Sequence, residues 1–247
     1  MVFAYLLAVL ELRNFMKTKF AKLEKSLGIK FKNIDLLRQA FVHRSYLNEH
    51  PDFELNHNER LEFLGDAVLE LAATEYLFKK FPKEPEGTLT NLRASVVNTI
   101  MLSQLSDSYG LENFLFLSKG EQRDKNKKAR ESIMANVFEA MIGAVYLDQG
   151  FKTAKNFLEK ILEEKVPHIY EKQLYLDPKS RFQELSQEKY SITPHYQVLG
   201  EEGPDHDKIF TVGIYIGKEL IAQADGGSKQ IAQVEAAKKA LKKKKWQ

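Results

Sequence analysis

The stretch that most restricts how this chain can fold is NERLEFLGDAVLEL, residues 58–71, because it places acidic residues on one face of a predicted helix. Glu62 and Asp66 are four residues apart and so lie one turn above each other, roughly 40° apart around the helix axis. Glu59 adds a third carboxylate to that face, and leucine and valine at helical spacing cover the opposite face. Like charges at this spacing destabilise an exposed helix slightly. The pattern fits either a solvated acidic face or a metal site.

A second stretch, IMANVFEAMIGAVYL at residues 133–147, is apolar around nearly its whole circumference and predicts a buried helix. Its strongly polar side chains are Asn136 and Glu139, which share one helical face. A buried, ionised glutamate costs several kcal/mol unless it is paired or binds a cation. One interpretation is a hydrogen bond to a helix terminus or an arginine. The other is that both residues converge with Glu62 and Asp66 on an all-oxygen site suited to Mg²⁺ or Mn²⁺.

Both stretches resemble helices of a known family. The first resembles the signature helix of ribonuclease III, and the run VFEAMIGAVYLDQG resembles that family's second acidic helix. The flanking segments AFVHRSY (Ala40–Tyr46) and EGTLTNLRASVVN (Glu86–Asn98) extend the resemblance over the whole catalytic domain.

The resemblance implies which side chains carry the chemistry. Glu62, Asp66 and Glu139 correspond to metal ligands, with Asp66 and Glu139 as the catalytic pair. Glu59 and Glu86 correspond to acidic positions near RNA or metal. Divalent ions held by carboxylates can activate water, stabilise the leaving alkoxide and neutralise charge on phosphorus.

The resemblance also implies a homodimer with one active site per RNA strand, in which Phe63 inserts into the partner subunit. A phenylalanine buried within its own subunit is the alternative interpretation of Phe63.

Asn136 departs from the family pattern, which has an aspartate at the corresponding metal-ligand position. Asparagine keeps a carbonyl oxygen but removes a charge, which predicts weaker metal binding and weaker transition-state stabilisation. Three explanations stay open: a deliberate inactivating substitution, a natural variant that works with three carboxylates, or a natural protein that binds RNA without cutting it.

The composition and the N-terminal segment indicate the cellular compartment. The 247 residues contain no cysteine, which excludes disulfides and cysteine-ligated zinc and fits a cytoplasmic location. The N-terminal extension, residues 1–15, begins with about a dozen apolar residues, too few to span a membrane and without the basic start of a signal peptide. It is either an additional amphipathic helix or the result of a misassigned start, with Met16 as the true one.

The first domain, residues 16–166, is predicted to be all-α, followed by a linker at residues 167–176. The predicted helices run over residues 17–28, from Asn33 or Asp35 to about 48, from 58 to Pro82, from a Thr88 cap to about 109, over 133–147 and over 151–165, with a mobile basic connection at 118–130.

The second domain, residues 177–246, has the predicted order α-β-β-β-α, which makes the whole chain α+β. Asp177 and Pro178 begin its first helix, three alternating runs follow at residues 195–199, 208–216 and 218–224, and a helix over 228–245 carries alanines at helical spacing. KSRFQELSQ, GPDHDKIF and GGSKQIAQVEAAKKAL resemble, in order, the three RNA-contacting segments of a double-stranded RNA-binding domain.

The resemblance predicts five RNA contacts in this domain. Gln183, Glu184 and His206 would read the shallow minor groove, and Ser228 and Lys229 would bind phosphates at a helix N-terminus. Gln230 stands where the family has a second lysine, and Ala224 where it usually has a turn glycine, which predicts weakened affinity.

The sequence therefore predicts a Mg²⁺-dependent endoribonuclease that processes double-stranded RNA as a homodimer and has no membrane partner. The alternative is a non-catalytic RNA-binding regulator on the same scaffold. A di-iron carboxylate protein would need two Glu-x-x-His motifs, and the chain has that spacing once, at Glu54–His57. An HD-type phosphohydrolase is disfavoured because His206–Asp207 lies in a polar turn.

Overall fold

The computed structural model describes residues 18–204 and 208–246. The predictions about the N-terminal extension and about a start at Met16 lie outside the described residues. The chain divides between Lys172 and Gln173 into two compact units. Within the described ranges, none of the helices is long and apolar enough to cross a membrane.

The first unit is helical, as predicted. Its elements are α1 (18–27 as described), α2 (Ile34–Ala40), α3 (Arg44–Glu49), α4 (Glu59–Lys80), α5 (Glu86–Val96), α6 (Thr99–Ser108), a 3-10 turn (Leu111–Phe114), α7 (Lys119–Arg123), α8 (Lys127–Gln149) and α9 (Phe151–Glu171).

Helix α8 lies in the centre of the first unit. The residues between Met134 and Val145 are buried apart from Asn136 and Glu139, which are half-buried. The apolar side chains of α8 pack with those of α1, α2, α4, α6 and α9 in one core. The prediction of a buried helix is confirmed.

Helices α4 and α8 cross with their backbones almost in contact, because each has a glycine at the crossing. A Cβ atom on Gly65 would lie 1.7 Å from the backbone oxygen of Glu139, and a Cβ atom on Gly143 would lie 2.2 Å from that of Leu61. No side chain fits at such distances. The glycines therefore fix the acidic face of α4 against the polar face of α8.

Asn58 anchors the start of α4. Its buried side chain donates to the backbone oxygen of Ala40 (3.1 Å), and its own N–H donates to the oxygen of Val42 (2.8 Å). Its carbonyl accepts from Leu61 and Glu62. The first turn of α4 is thus held to the segment that joins α2 and α3.

Two long predicted helices are each split. The helix predicted to run from Asn33 to about 48 breaks after Ala40, because Val42 forms a bridge with Phe116 and His43 then caps α3. Asn33 does cap α2, accepting from the backbone N–H of Asp35.

The helix predicted over 88–109 breaks in the same manner. It begins at Glu86 with Pro85 as its N-cap residue, so Thr88 is not the cap. It ends at Val96, and Asn98 caps α6 by accepting from the N–H of Met101. A side-chain cap competes with continuation of the helix.

The connection predicted over 118–130 is also partly helical. Ser118 caps α7, and the side chain of Asn126 accepts from the N–H groups of Lys128 and Ala129 at the start of α8. Some of the polar residues that suggested an irregular segment are therefore helix N-caps.

The linker predicted to begin at Pro167 begins later, because α9 continues to Glu171. A proline inside a helix costs about 3 kcal/mol. Burial of Val166 and Ile169 and the stacking of Tyr170 on Phe81 (4.4 Å between centroids) offset that cost.

The second unit has the predicted α-β-β-β-α order. Its elements are α10 (Pro178–Tyr190), β1 (His195–Glu202), β2 (Ile209–Ile216), β3 (Glu219–Gly226) and α11 (Lys229–Lys244). The sheet is antiparallel in the order β1-β2-β3. Asp177 caps α10 by accepting from the N–H of Ser180, with Pro178 at the first helical position.

Both helices of this unit contribute to one core with the sheet. The alanines predicted to pack, Ala232, Ala236, Ala237 and Ala240, are all fully buried. Ala224 belongs to the same core, lies inside β3 opposite Val212 and is not in a turn. The prediction that this position lies in a turn is therefore wrong.

We predict that Gly65→Ala lowers the free energy of unfolding by about 2–3 kcal/mol or more, because the added methyl group forces α4 and α8 apart. Chemical denaturation measures the change. Gly87→Ala is the matched control: it lies in α5 with no atom within 4 Å of its Cβ position, and the change should be neutral or stabilising. Equal stability of Gly65→Ala and the unsubstituted chain would contradict the close crossing.

Candidate functional site

The acidic face of α4 begins at Glu59, whose carboxylate lies between two basic side chains. The guanidinium of Arg44 is 3.5 Å from one of its oxygens, and Nδ1 of His57 is 3.6 Å from the other. All three side chains are more than a third exposed. Glu59 therefore lies at the solvent edge of the acidic face with part of its charge compensated.

Glu62 lies one turn further along the helix and is half-buried. Burial raises the pKa of its carboxyl, and the negative charges of Glu59 and Asp66 raise it further. Asp66 is exposed and continues the face by one more turn.

Glu139 joins this group from α8. The pKa of its carboxyl is raised to about 7, mainly by burial and further by the negative charges of Asp66 and Glu62. Each group appears in the electrostatic environment of the next, so the helix crossing does bring Glu62, Asp66 and Glu139 together. Among the described residues, none forms a hydrogen bond with Glu139 from a helix terminus or an arginine, which was the alternative interpretation.

Asn136 lies one turn before Glu139 on the same face of α8 and is half-buried. Its amide would add a neutral oxygen to the three carboxylates.

The donor set is chemically suited to a hard divalent cation, since its members are oxygens. The carboxylates are nonetheless not drawn into a coordination shell: residues 18–204 and 208–246 contain no group of three His, Asp or Glu side chains close enough to hold a metal ion.

Glu86 does not belong to this electrostatic group. It is the exposed first residue of α5, and the charges that raise the pKa of Glu139 are those of Asp66 and Glu62.

Phe63 is 82% exposed, so it is not buried within its own subunit. Leu71 and Phe78 are also exposed, and their spacing puts them within about 80° of Phe63 around the axis of α4. These three residues form what we call the apolar stripe of α4.

The predicted RNA contacts of the second unit lie on its surface. Gln183 and Glu184 are exposed on α10, and Gln187 extends their row by one turn. His206 lies outside the described residues.

The N-terminus of α11 has the predicted arrangement of Ser228 and Lys229. The hydroxyl oxygen of Ser228 accepts from the N–H of Ile231 (3.2 Å), which leaves its own O–H free to donate. Lys229 is exposed and contacts Glu201 at 3.1 Å.

The sequence analysis did not identify the residues that position the two helices of the acidic site but carry no acidic group themselves. Gly65 and Gly143 were not singled out, although a glycine inside each of two apolar helices is itself a signal of close packing. Asn58 was assigned to the helix start, but its hydrogen bond to Ala40 depends on a distant segment.

The chain matches two family models and several known proteins. A family model described as "Ribonuclease-III-like" matches residues 33–165, and one described as "Double-stranded RNA binding motif" matches residues 178–244. The chain is similar to Ribonuclease 3 of Nitratiruptor sp., with 44% identity over 89% of this chain and 94% of the relative. It is similar to Ribonuclease 3 of Carboxydothermus hydrogenoformans, with 46% identity over 91% and 95%.

One similar solved structure is the nuclease domain of ribonuclease III from Campylobacter jejuni. It has 41% identity and a TM-score of 0.52, covering 59% of this chain and 97% of that domain.

The raised pKa of Glu139 predicts how pH changes the stability of the metal-free protein. The folded state binds this proton more tightly than the unfolded chain does. Protonation of Glu139 therefore stabilises the folded state fully below about pH 4.5, and this stabilisation is lost as the pH rises through about 7. We expect Glu139→Gln to be more stable than the unsubstituted protein at pH 8, by on the order of 1–2 kcal/mol, and the difference to shrink at pH 5.

Urea unfolding in the presence of a chelator measures both differences. A gap between the two proteins that does not depend on pH would show that Glu139 titrates normally.

Proposed function

The chain belongs to the ribonuclease III family and is an endoribonuclease that acts on double-stranded RNA with a divalent metal ion; from this premise we propose that Glu62, Asp66, Asn136 and Glu139 bind Mg²⁺. The observation that carries the proposal is the electrostatic convergence of three carboxylates at the α4–α8 crossing. The comparisons give no support to the alternative of a non-catalytic regulator. Mn²⁺ has similar ligand chemistry and is a plausible substitute.

The protein groups have distinct tasks in this proposal. Glu62 and Asp66 supply carboxylate oxygens from α4, and Glu139 and Asn136 supply oxygens from α8. A bound divalent ion supplies an activated water, a stabilised leaving alkoxide and neutralisation of charge at phosphorus. Asp66 and Glu139 are the proposed catalytic residues.

The proton on Glu139 connects the site to its metal. Because its pKa is about 7 in the metal-free protein, this carboxyl holds a proton in part of the molecules at neutral pH. Ligation requires the ionised form, so binding of the cation releases that proton.

Glu59 and Glu86 have secondary roles in the proposal. Glu59 lies beside Arg44 and His57 at the exposed edge of the acidic face, where an RNA backbone would approach. Glu86 begins a separate helix, and its assignment to a position near RNA or metal rests on the family resemblance alone.

We propose that RNA binds the second unit through Gln183, Glu184, His206, Ser228 and Lys229. Exposure of the described members and the cap geometry of Ser228 support the assignment. Gln230 is exposed beside Lys229 but carries no charge, so we expect one phosphate contact fewer than with a second lysine.

The domain boundaries that fit these assignments are a nuclease domain ending with α9 at Glu171, a linker of residues 172–176 and an RNA-binding domain from Asp177. A cytoplasmic location is consistent with the RNA substrate and with the lack of cysteine in the sequence.

We propose that the protein acts as a homodimer through the apolar stripe of α4. Three large exposed apolar side chains on one helix are unusual for a surface that stays in water. Phe63 is adjacent in sequence to Glu62, so a partner bound there would lie beside the acidic site.

Cleavage of a long RNA duplex in Mg²⁺ tests the metal site. We expect Asn136→Asp to raise kcat by about tenfold or more, because it restores a charge where a cation is held, and Glu139→Ala to abolish cleavage. Asn126→Asp is the matched control: it adds the same charge to α8 while retaining a capping oxygen, and it should leave the rate unchanged.

If Asn136→Asp cuts no faster than the chain as given, three carboxylates suffice and charge at this position does not limit the rate. If no variant cuts but all bind duplex RNA, the metal-site assignment and the enzymatic assignment both fail.

Solution mass at micromolar concentration tests the dimer. We expect a dimer for the unsubstituted chain and a monomer for Phe63→Asp, since a charge in an apolar contact removes its driving force. Leu174→Ser is the control, because Leu174 is also exposed but lies in the segment after α9. A monomeric mass for the unsubstituted chain would refute the proposal.

A further inference from the structure

Glu201 on β1 lies between two lysines of the second unit. One carboxylate oxygen is 3.1 Å from Nζ of Lys229, and the other is 3.8 Å from Nζ of Lys208. The Lys229 ammonium also lies 5.3 Å from the centre of the Phe210 ring, and Phe210 is the β2 residue paired with Glu201 across the strands. The carboxylate thus uses each of its oxygens for a different lysine.

This contact is made at the place where an RNA phosphate would bind. Lys229 is the first residue of α11, directly after the Ser228 cap, where the free N–H groups and the helix dipole favour an anion. A carboxylate and a phosphate diester present the same charge and similar acceptor oxygens to an ammonium group. In the free protein, the Glu201 carboxylate therefore pairs with the Lys229 ammonium, at the place that an RNA phosphate would take.

We propose that Glu201 is an intramolecular competitor of the RNA phosphate for Lys229, and that duplex RNA binds only by displacing this ion pair. The proposal rests on the RNA-binding role of Lys229 given above. It would add a second cause of weak RNA binding to the one that Gln230 predicts. The displaced carboxylate also stays near the incoming phosphate and repels it.

A positioning role for Glu201 predicts the opposite sign. If the carboxylate served to orient Lys229 toward the phosphate, its removal would weaken binding, because the long lysine side chain would lose its fixed geometry. If it competes with phosphate, its removal strengthens binding. The direction of the change in affinity separates the two.

The test is binding of the full chain to an RNA duplex of about 30 base pairs in a chelator, where cleavage does not occur, measured by fluorescence anisotropy across a range of salt concentrations. We expect Glu201→Gln to bind about three- to tenfold more tightly near 0.1 M salt. The plot of log K against log salt should become steeper by up to about one, because no displaced Glu201 carboxylate then takes up a cation from solution when the phosphate binds Lys229.

Glu235→Gln is the matched control. Glu235 is similarly exposed and is also paired with a lysine, Lys238 at 2.7 Å, but it lies further along α11 from the N-terminus. Glu235→Gln removes the same charge from the same unit. Its effect on RNA affinity, which we expect to be smaller, measures the contribution of net charge alone. In a Lys229→Gln background, substitution of Glu201 should have less effect than in the unsubstituted chain.

Three results would overturn the proposal that Glu201 competes with the RNA phosphate. Glu201→Gln could bind more weakly than the unsubstituted chain, it could match Glu235→Gln in affinity and salt slope, or its gain could persist undiminished with Lys229→Gln. Failure of the unsubstituted chain itself to bind duplex RNA would instead overturn the RNA-binding assignment, and the competitor with it.

Discussion

The close crossing of α4 and α8 is the constraint on which the acidic site depends. Gly65 and Gly143 each leave room for the other helix's backbone, where a Cβ atom would lie 1.7 Å or 2.2 Å from a carbonyl oxygen. A side chain at either position would separate the helices and carry Glu139 away from Glu62 and Asp66. Packing of the central helix on its described neighbours holds the crossing in place, and Asn58 fixes where α4 begins. The positions of the carboxylates thus follow from backbone contact.

That geometry stabilises the protein and strains its electrostatics. Burying apolar residues on all sides of α8 takes Glu139 out of water together with them, and its pKa rises because the ionised form loses hydration. The other two carboxylates make the penalty larger. A site of this kind favours a proton or a divalent cation over ionisation alone, which is the condition required of a metal site that must fill from solution. Asn136 reduces the negative charge and therefore reduces both the repulsion and the attraction for a cation.

Much of the fold could be predicted from the sequence because its signals are local. Helical spacing identified α4 and α8, and the Asp177–Pro178 pair identified the start of α10. The errors came where a distant contact decides. The predicted helix from Asn33 breaks because Val42 pairs with Phe116, seventy-four residues away, and α9 passes through Pro167 because Tyr170 stacks on a residue of another segment. The acidic residues of the site could be found from their types and spacing. The glycines that bring them together could not, because the cost of a Cβ atom at those positions depends on a neighbouring helix.

The two units handle charge in opposite ways that serve one substrate. The first concentrates negative charge in a partly buried site, so in the proposed function it would bind an RNA phosphate only through a cation that changes the sign of the local field. The second exposes positive charge, and Glu201 compensates part of it in the absence of RNA. Under the two proposals, the free protein holds its charged groups in a state that the ligand must replace: a proton on Glu139 would give way to metal, and the Glu201 carboxylate beside Lys229 would give way to phosphate. Each exchange replaces one partner by another of the same charge sign, so the net free energy of binding is smaller than the new contact alone would give. Metal binding at the first site would then depend on pH, and RNA binding at the second would depend on salt.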